Sequence, residues 1–187
     1  MTSNQLSIDR LLAAVLRGAD HAWPRDPAAA FPAAEVNARI GYHGIAGLIA
    51  DRGAQLADWP DAILGPVRQQ AIALAMWELR HKELLGDVLG ALAEAKIVAL
   101  LLKGTAVAYD LYSTPATRAR GDSDLLIAPQ DLAATRAILT SLGYRCQPLD
   151  DAIADDLALQ EVWGITCDKG TTHHLDLHWQ LDRKSVV

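Results

Sequence analysis

Cysteine is almost absent from this chain, and the two that occur, Cys146 and Cys167, stand alone. There is neither a CxxC pair nor an evident zinc spacing, so a disulfide framework and a structural zinc both lack support, and a reducing cytoplasm fits best. Basic residues are also in deficit: 17 Lys and Arg against 23 Asp and Glu leave a net charge of -6. That balance argues against gripping duplex nucleic acid with a broad basic face, because phosphate binding needs a surplus of positive charge. A nucleotide handled through metal ions stays open. No apolar run approaches the roughly 18 residues of a membrane span, and "MTSNQLSIDRLL" lacks the basic start and long apolar core of a secretory signal. The sequence therefore reads as a soluble cytoplasmic protein with no membrane partner. What it does have is 187 residues of which 51% are hydrophobic, enough for one good core or a core with a small helical appendage.

Residues 1–95 read as a helical region. "SIDRLLAAVLRG" places Ile8, Leu11, Leu12, Val15 and Leu16 at helical spacing, with Ser7 as the expected N-cap and Gly18 as the stop. Three prolines make "HAWPRDPAAAFP" a loop, after which Pro32 can open a helix and Gly41 to Gly44 can break it. From Pro66 to Lys96 a long helix is expected, with Val67, Leu74, Leu85, Val88, Leu89 and Leu92 on its apolar stripe and Arg80, Lys82 and Glu83 toward solvent.

The pattern changes at Ile97. "IVALLL" is a short continuous apolar run, which suits a strand buried on both faces, and a short helix should follow it. "DSDLLIAP" reads as a second strand and "QDLAATRAILTSLG" as a second helix. "EVWGITCD" and "TTHHLDLHW" then look like an antiparallel pair turning at Lys169-Gly170. The expected class is α/β (α+β), a mixed sheet with flanking helices over residues 96–187 behind an N-terminal helical region.

Strand alternation sends Asp122 and Asp124 to one face and Ser123, Leu125 and Ile127 to the other. Two carboxylates that close repel unless a cation sits between them, and hard Mg²⁺ binds through one or two carboxylates plus substrate phosphates. The same alternation puts His174, Asp176 and His178 on one face, so Asp176 can supply a third carboxylate. Lys103, Gly104 and Thr105 follow a strand and open a helix, which offers backbone N–H groups, a hydroxyl and a positive charge to an anion. His174 and His178 read as shape and hydrogen-bonding residues, with a zinc-binding HxDxH as the alternative. Trp163 and Trp179 read as packing residues, and Arg120 as a solvated charge.

Taken together, "LLKGTAVAYDLY", "RARGDSDLLI" and "LDLHW" resemble the nucleotidyltransferase superfamily with the DNA polymerase β-like catalytic fold, in particular a poorly characterised bacterial branch with KG, RxxGDxDLL and LHW motifs. The resemblance covers about residues 97–180. It implies that Gly104 and Thr105 hold a triphosphate, helped by Lys103 and by Arg118, the match to the family arginine. It also implies that Asp122 and Asp124 bind two Mg²⁺ (or Mn²⁺) ions, with Asp176 as the third carboxylate. The reaction implied is attack by an acceptor hydroxyl, on a small molecule, a protein or RNA, at the α-phosphate of a nucleoside triphosphate (ATP or another NTP), expelling pyrophosphate. A phosphotransferase using the terminal phosphate and a catalytically silent nucleotide-binding or interaction module are the alternatives. Because relatives usually continue well past the third carboxylate, the core is expected to be C-terminally truncated, with weak activity and homo-oligomer formation as the consequences.

Overall fold

A computed structural model describes residues 3–19, 22–24, 31–147, 159–166 and 172–180. Contacts divide the chain into two units, residues 1–78 with 114–119, and residues 79–113 with 120–187. The first is helical: α1 (Ser3–Leu16), α2 (Ala33–His43), α3 (Ala46–Asp51) and the start of α4 (Asp61–Glu94). Ile8, Leu12, Val15, Val36, Ile40 and Ile49 form its core, the stripe that the heptad-like spacing of α1 and α2 dictates. α1 begins at Ser3 rather than behind an N-cap at Ser7. The Ser7 hydroxyl donates instead to the Ser3 carbonyl at 3.1 Å, the back-bonding by which a serine is accommodated inside a helix. Gly44, at φ 63, ends α2 in the left-handed conformation, which a residue without Cβ adopts at little cost. Gly47 meets a different demand, since a Cβ there would sit 2.7 Å from Thr117 Cα.

The second unit begins in the latter part of α4 and continues through β1 (Ala99–Leu102), α5 (Lys103–Leu111), β2 (Asp122–Ile127), α6 (Leu132–Ser141), β3 (Arg145–Cys146), β4 (Gln160–Thr166) and β5 (Thr172–His178). The five strands form one mixed sheet in the order β1-β2-β5-β4-β3, with β2 and β5 parallel and the other pairs antiparallel. This is the α+β arrangement the sequence leads one to expect, including the antiparallel β4 and β5; their Lys169-Gly170 turn, with Cys167, lies outside the described residues. Val88 and Leu92 from α4 pack with Leu125, Ile127, Leu139, Leu175, Leu177 and Trp163, so one face of the sheet is sealed by aliphatic side chains.

β1 departs from expectation. It is an edge strand whose Leu100 is 57% exposed, not a strand buried on both faces; a run of six apolar residues cannot reveal whether a partner covers its second side. Among the described residues no helix is long and apolar enough to cross a membrane.

Candidate active site

The parallel pairing of β2 with β5 sets Asp124 directly beside Asp176 and Asp122 beside His174. Because side chains alternate, Asp122, Asp124, Asp176 and His178 share the face opposite the Leu125 and Leu175 core. On the other flank of β2, Leu102 of β1 pairs with Asp124, and the chain turns at once into α5. That turn brings the next residue, Lys103, back over the carboxylate. Its Nζ donates to Asp124 Oδ1 at 2.6 Å, and His178 Nε2 donates to the same oxygen at 3.0 Å.

The three carboxylates therefore occupy different environments. Asp122 is exposed, whereas the Asp124 side chain is only 4% exposed. Burial alone would raise the Asp124 pKa, but hydrogen bonds from His178 and Lys103, with their charges, hold it below the ordinary carboxylate value. Among the described residues, Asp176 has no such donors. Burial, reinforced by the charges of Asp124 and Asp122, pushes its carboxyl up. The Lys103 ammonium is held above its usual value by the bond to Asp124, against the opposing effect of burial. Two neighbouring carboxylates are thus split into a firmly ionised one and one that keeps its proton to higher pH, a division of the kind that assigns acid and base roles.

The phosphate-binding expectation is modified at each residue of the turn. Lys103, not Gly104, carries the positive φ, at 47°. Among the described residues, a Cβ at Gly104 would meet only Arg120 Cβ at 3.7 Å, so the backbone there does not itself demand glycine. The Thr105 hydroxyl is not open to an anion, since it is buried and donates to the Asp122 carbonyl at 3.0 Å, tying α5 to β2. What remains for an anion is the first turn of α5, where among the described residues no side chain caps the N-terminus and backbone N–H groups lack helical partners. Arg118 belongs to the first unit, following the turn Pro115–Thr117.

Asp124, Asp176 and His178 each offer a ligand atom, all within 4.8 Å of one another. Carboxylate oxygens suit Mg²⁺ or Mn²⁺, and in this arrangement the Lys103 ammonium sits on Asp124 Oδ1. His178 Nε2 cannot donate to Asp124 and bind a metal at the same time, so in this arrangement it orients the carboxylate. The sequence marks His178 as a hydrogen-bonding residue, and the structure supplies its partner, Asp124. His81 was missed altogether: it is buried on α4, and its only signal was its place on the stripe of Leu85, Val88 and Leu92. Arg120, read as a solvated charge, lies over the Tyr109 ring at 5.4 Å and within 3.3 Å of His81.

Over residues 32–186 the chain matches a family described as "Uncharacterised nucleotidyltransferase". No curated protein matches it.

Proposed function

The chain belongs to the uncharacterised nucleotidyltransferase family, and from that premise we propose that it moves a nucleoside monophosphate from a nucleoside triphosphate to an acceptor hydroxyl. The observation that carries this reading is the lateral pairing of Asp124 with Asp176 under the Lys103 ammonium. Asp122 and Asp124 are the proposed ligands of divalent cations, with Asp176 completing the set. When bound, such ions neutralise phosphate charge and make the acceptor hydroxyl easier to ionise.

The chain's own groups account for the rest. The uncapped first turn of α5, at Gly104 and Thr105, presents backbone N–H groups to the triphosphate, while Thr105 holds that turn against β2. Lys103 is positioned to neutralise charge growing on the phosphates, and Arg118 is proposed for the same task on the family resemblance alone. The acceptor oxygen forms a bond to the α-phosphorus, the bond from that phosphorus to the bridging oxygen breaks, and pyrophosphate leaves. Asp176, its carboxyl pushed above the ordinary range, is suited to take the acceptor's proton. Residues 96–187 are the proposed catalytic core, working in the cytoplasm.

Nucleotide labelled separately at the α- and γ-phosphates tests the reaction. Transfer of α-label with release of pyrophosphate is expected. Transfer of γ-label alone would make the protein a phosphotransferase, and absence of metal-dependent nucleotide binding in calorimetry would make it a silent module.

A further inference from the structure

Behind the carboxylates, on the core side of the sheet, runs a chain of buried polar groups that the proposed chemistry does not use. His81 Nε2 lies 2.6 Å from Ser123 Oγ, Ser123 Oγ lies 3.2 Å from His173 Nε2, and His173 Nδ1 lies 2.7 Å from Tyr144 Oη. Arg120 Nη2 stands 3.3 Å from His81 Nδ1. A guanidinium can only donate, which fixes the direction of the bonds at His81. His81 Nδ1 accepts from Arg120, so its Nε2–H donates to Ser123. Ser123 Oγ, accepting that proton, also bonds His173 Nε2, and His173 Nδ1 bonds the Tyr144 hydroxyl. His81 must be neutral for this, and burial, with further depression by neighbouring charges, holds His81 at about 3 and His173 at about 4. Ser123, His81, His173 and Tyr144 are all buried.

Ser123 is the residue between the two aspartates, and its side chain ties β2 to α4 and to β5. Apolar packing alone does not determine how those two strands align. Leu125 now pairs with Leu177; a slip of two residues would set Leu125 beside Leu175 and Ile127 beside Leu177, equally apolar and on the same face. It would also carry Asp124 away from Asp176 by roughly 6.6 Å, two strand residues. Directional hydrogen bonds discriminate where leucines do not, since sliding β2 would take Ser123 off His81 and sliding β5 would take His173 off Tyr144.

We propose that Ser123, His81 and His173 are positioning residues whose hydrogen-bond chain locks β2 and β5 in the register that sets Asp124 beside Asp176, and so sets the spacing of the carboxylates that bind the divalent cation. This rests on the metal-binding reading of those carboxylates, and the two can be tested apart. Mn²⁺ alone is titrated into the full chain, followed by electron paramagnetic resonance, at a temperature where circular dichroism shows each variant folded. Asp124→Asn should abolish binding. Ser123→Val and Ser123→Thr have the same shape and differ in the hydroxyl: the valine variant should bind Mn²⁺ about tenfold more weakly or worse, and the threonine variant within about threefold of the unsubstituted chain. Valine and threonine variants of equal affinity would overturn the positioning role while leaving the metal site standing. Unchanged binding in Asp124→Asn, or none in the unsubstituted chain, would remove the metal site and this proposal with it. If neither branched side chain is accommodated, Ser123→Ala against the unsubstituted chain decides by the same tenfold criterion.

Discussion

Asp122→Asn and Asp124→Asn remove the same charge two residues apart, and the structure gives them unequal consequences for stability in the absence of metal. From the sequence, relief of repulsion should leave either variant as stable as the parent or more so. Asp124, however, is 4% exposed and receives bonds from Lys103 at 2.6 Å and His178 at 3.0 Å. Each bond to a charged acceptor is worth about 1.5–3 kcal/mol when buried. The Lys103 side chain is 35% exposed and returns to water, so its share falls to about 0.5–1 kcal/mol. His178 is buried and keeps a neutral amide acceptor, losing about half the strength of a charge-assisted bond, on the order of 1 kcal/mol. Relief of the repulsion felt by Asp176 offsets part of this, leaving a net loss of about 1–2 kcal/mol. For a chain of this size that lowers Tm by roughly 2–8 °C. Asp122 is exposed, and its amide should change stability by no more than about 0.5 kcal/mol. Thermal and urea melts at pH 7 with a chelator compare the three proteins. An Asp124→Asn chain that melts at or above the parent, or together with Asp122→Asn, would refute the claim that Asp124 is held by its two donors.

Gly104→Ala should leave Tm within about 2 °C, because space and φ permit a methyl, yet weaken triphosphate binding measured by calorimetry if the backbone cradles phosphate; unchanged affinity would remove the turn from the site. Asp176→Asn should lower turnover strongly and nucleotide affinity less than Asp124→Asn does, and equal affinity losses would contradict the division of roles. Saturating Mn²⁺ at about 100 times its Kd should stabilise the parent by about 2.7 kcal/mol and leave Asp124→Asn unmoved, as read by thermal shift. Between pH 6.5 and 4 the unfolded chain takes up protons on His81 and His173 before the folded chain does, because their folded pKa values lie near 3 and 4; stability should therefore fall as pH falls, by about 3 kcal/mol from His173 alone. Urea midpoints that stay level over that window would show these histidines to be ordinary.

Much of the site was legible because it obeys local periodicity. Alternation in "DSDLLI" and "HHLDLHW" is enough to place Asp122, Asp124 and Asp176 on polar faces and Leu125, Leu175 and Leu177 in the core, since side-chain direction along a strand follows from backbone geometry alone. The order of strands and helices after Ile97 follows in the same way from run length and breakers.

Which carboxylate is buried, and what neutralises it, is a matter of strand pairing between residues distant in the chain. Asp122 and Asp124 are indistinguishable by local pattern. Only the antiparallel β1 at one side of β2 and the parallel β5 at the other bring Lys103 and His178 onto Asp124 and leave Asp122 exposed. Likewise His81 and His173 are unremarkable until α4 and β5 converge on Ser123. The faces follow from the sequence, because alternation is a property of neighbouring residues. Tertiary structure decided the partners, because burial and hydrogen bonding depend on which distant segments meet, and that is where the ionisation of each aspartate is set.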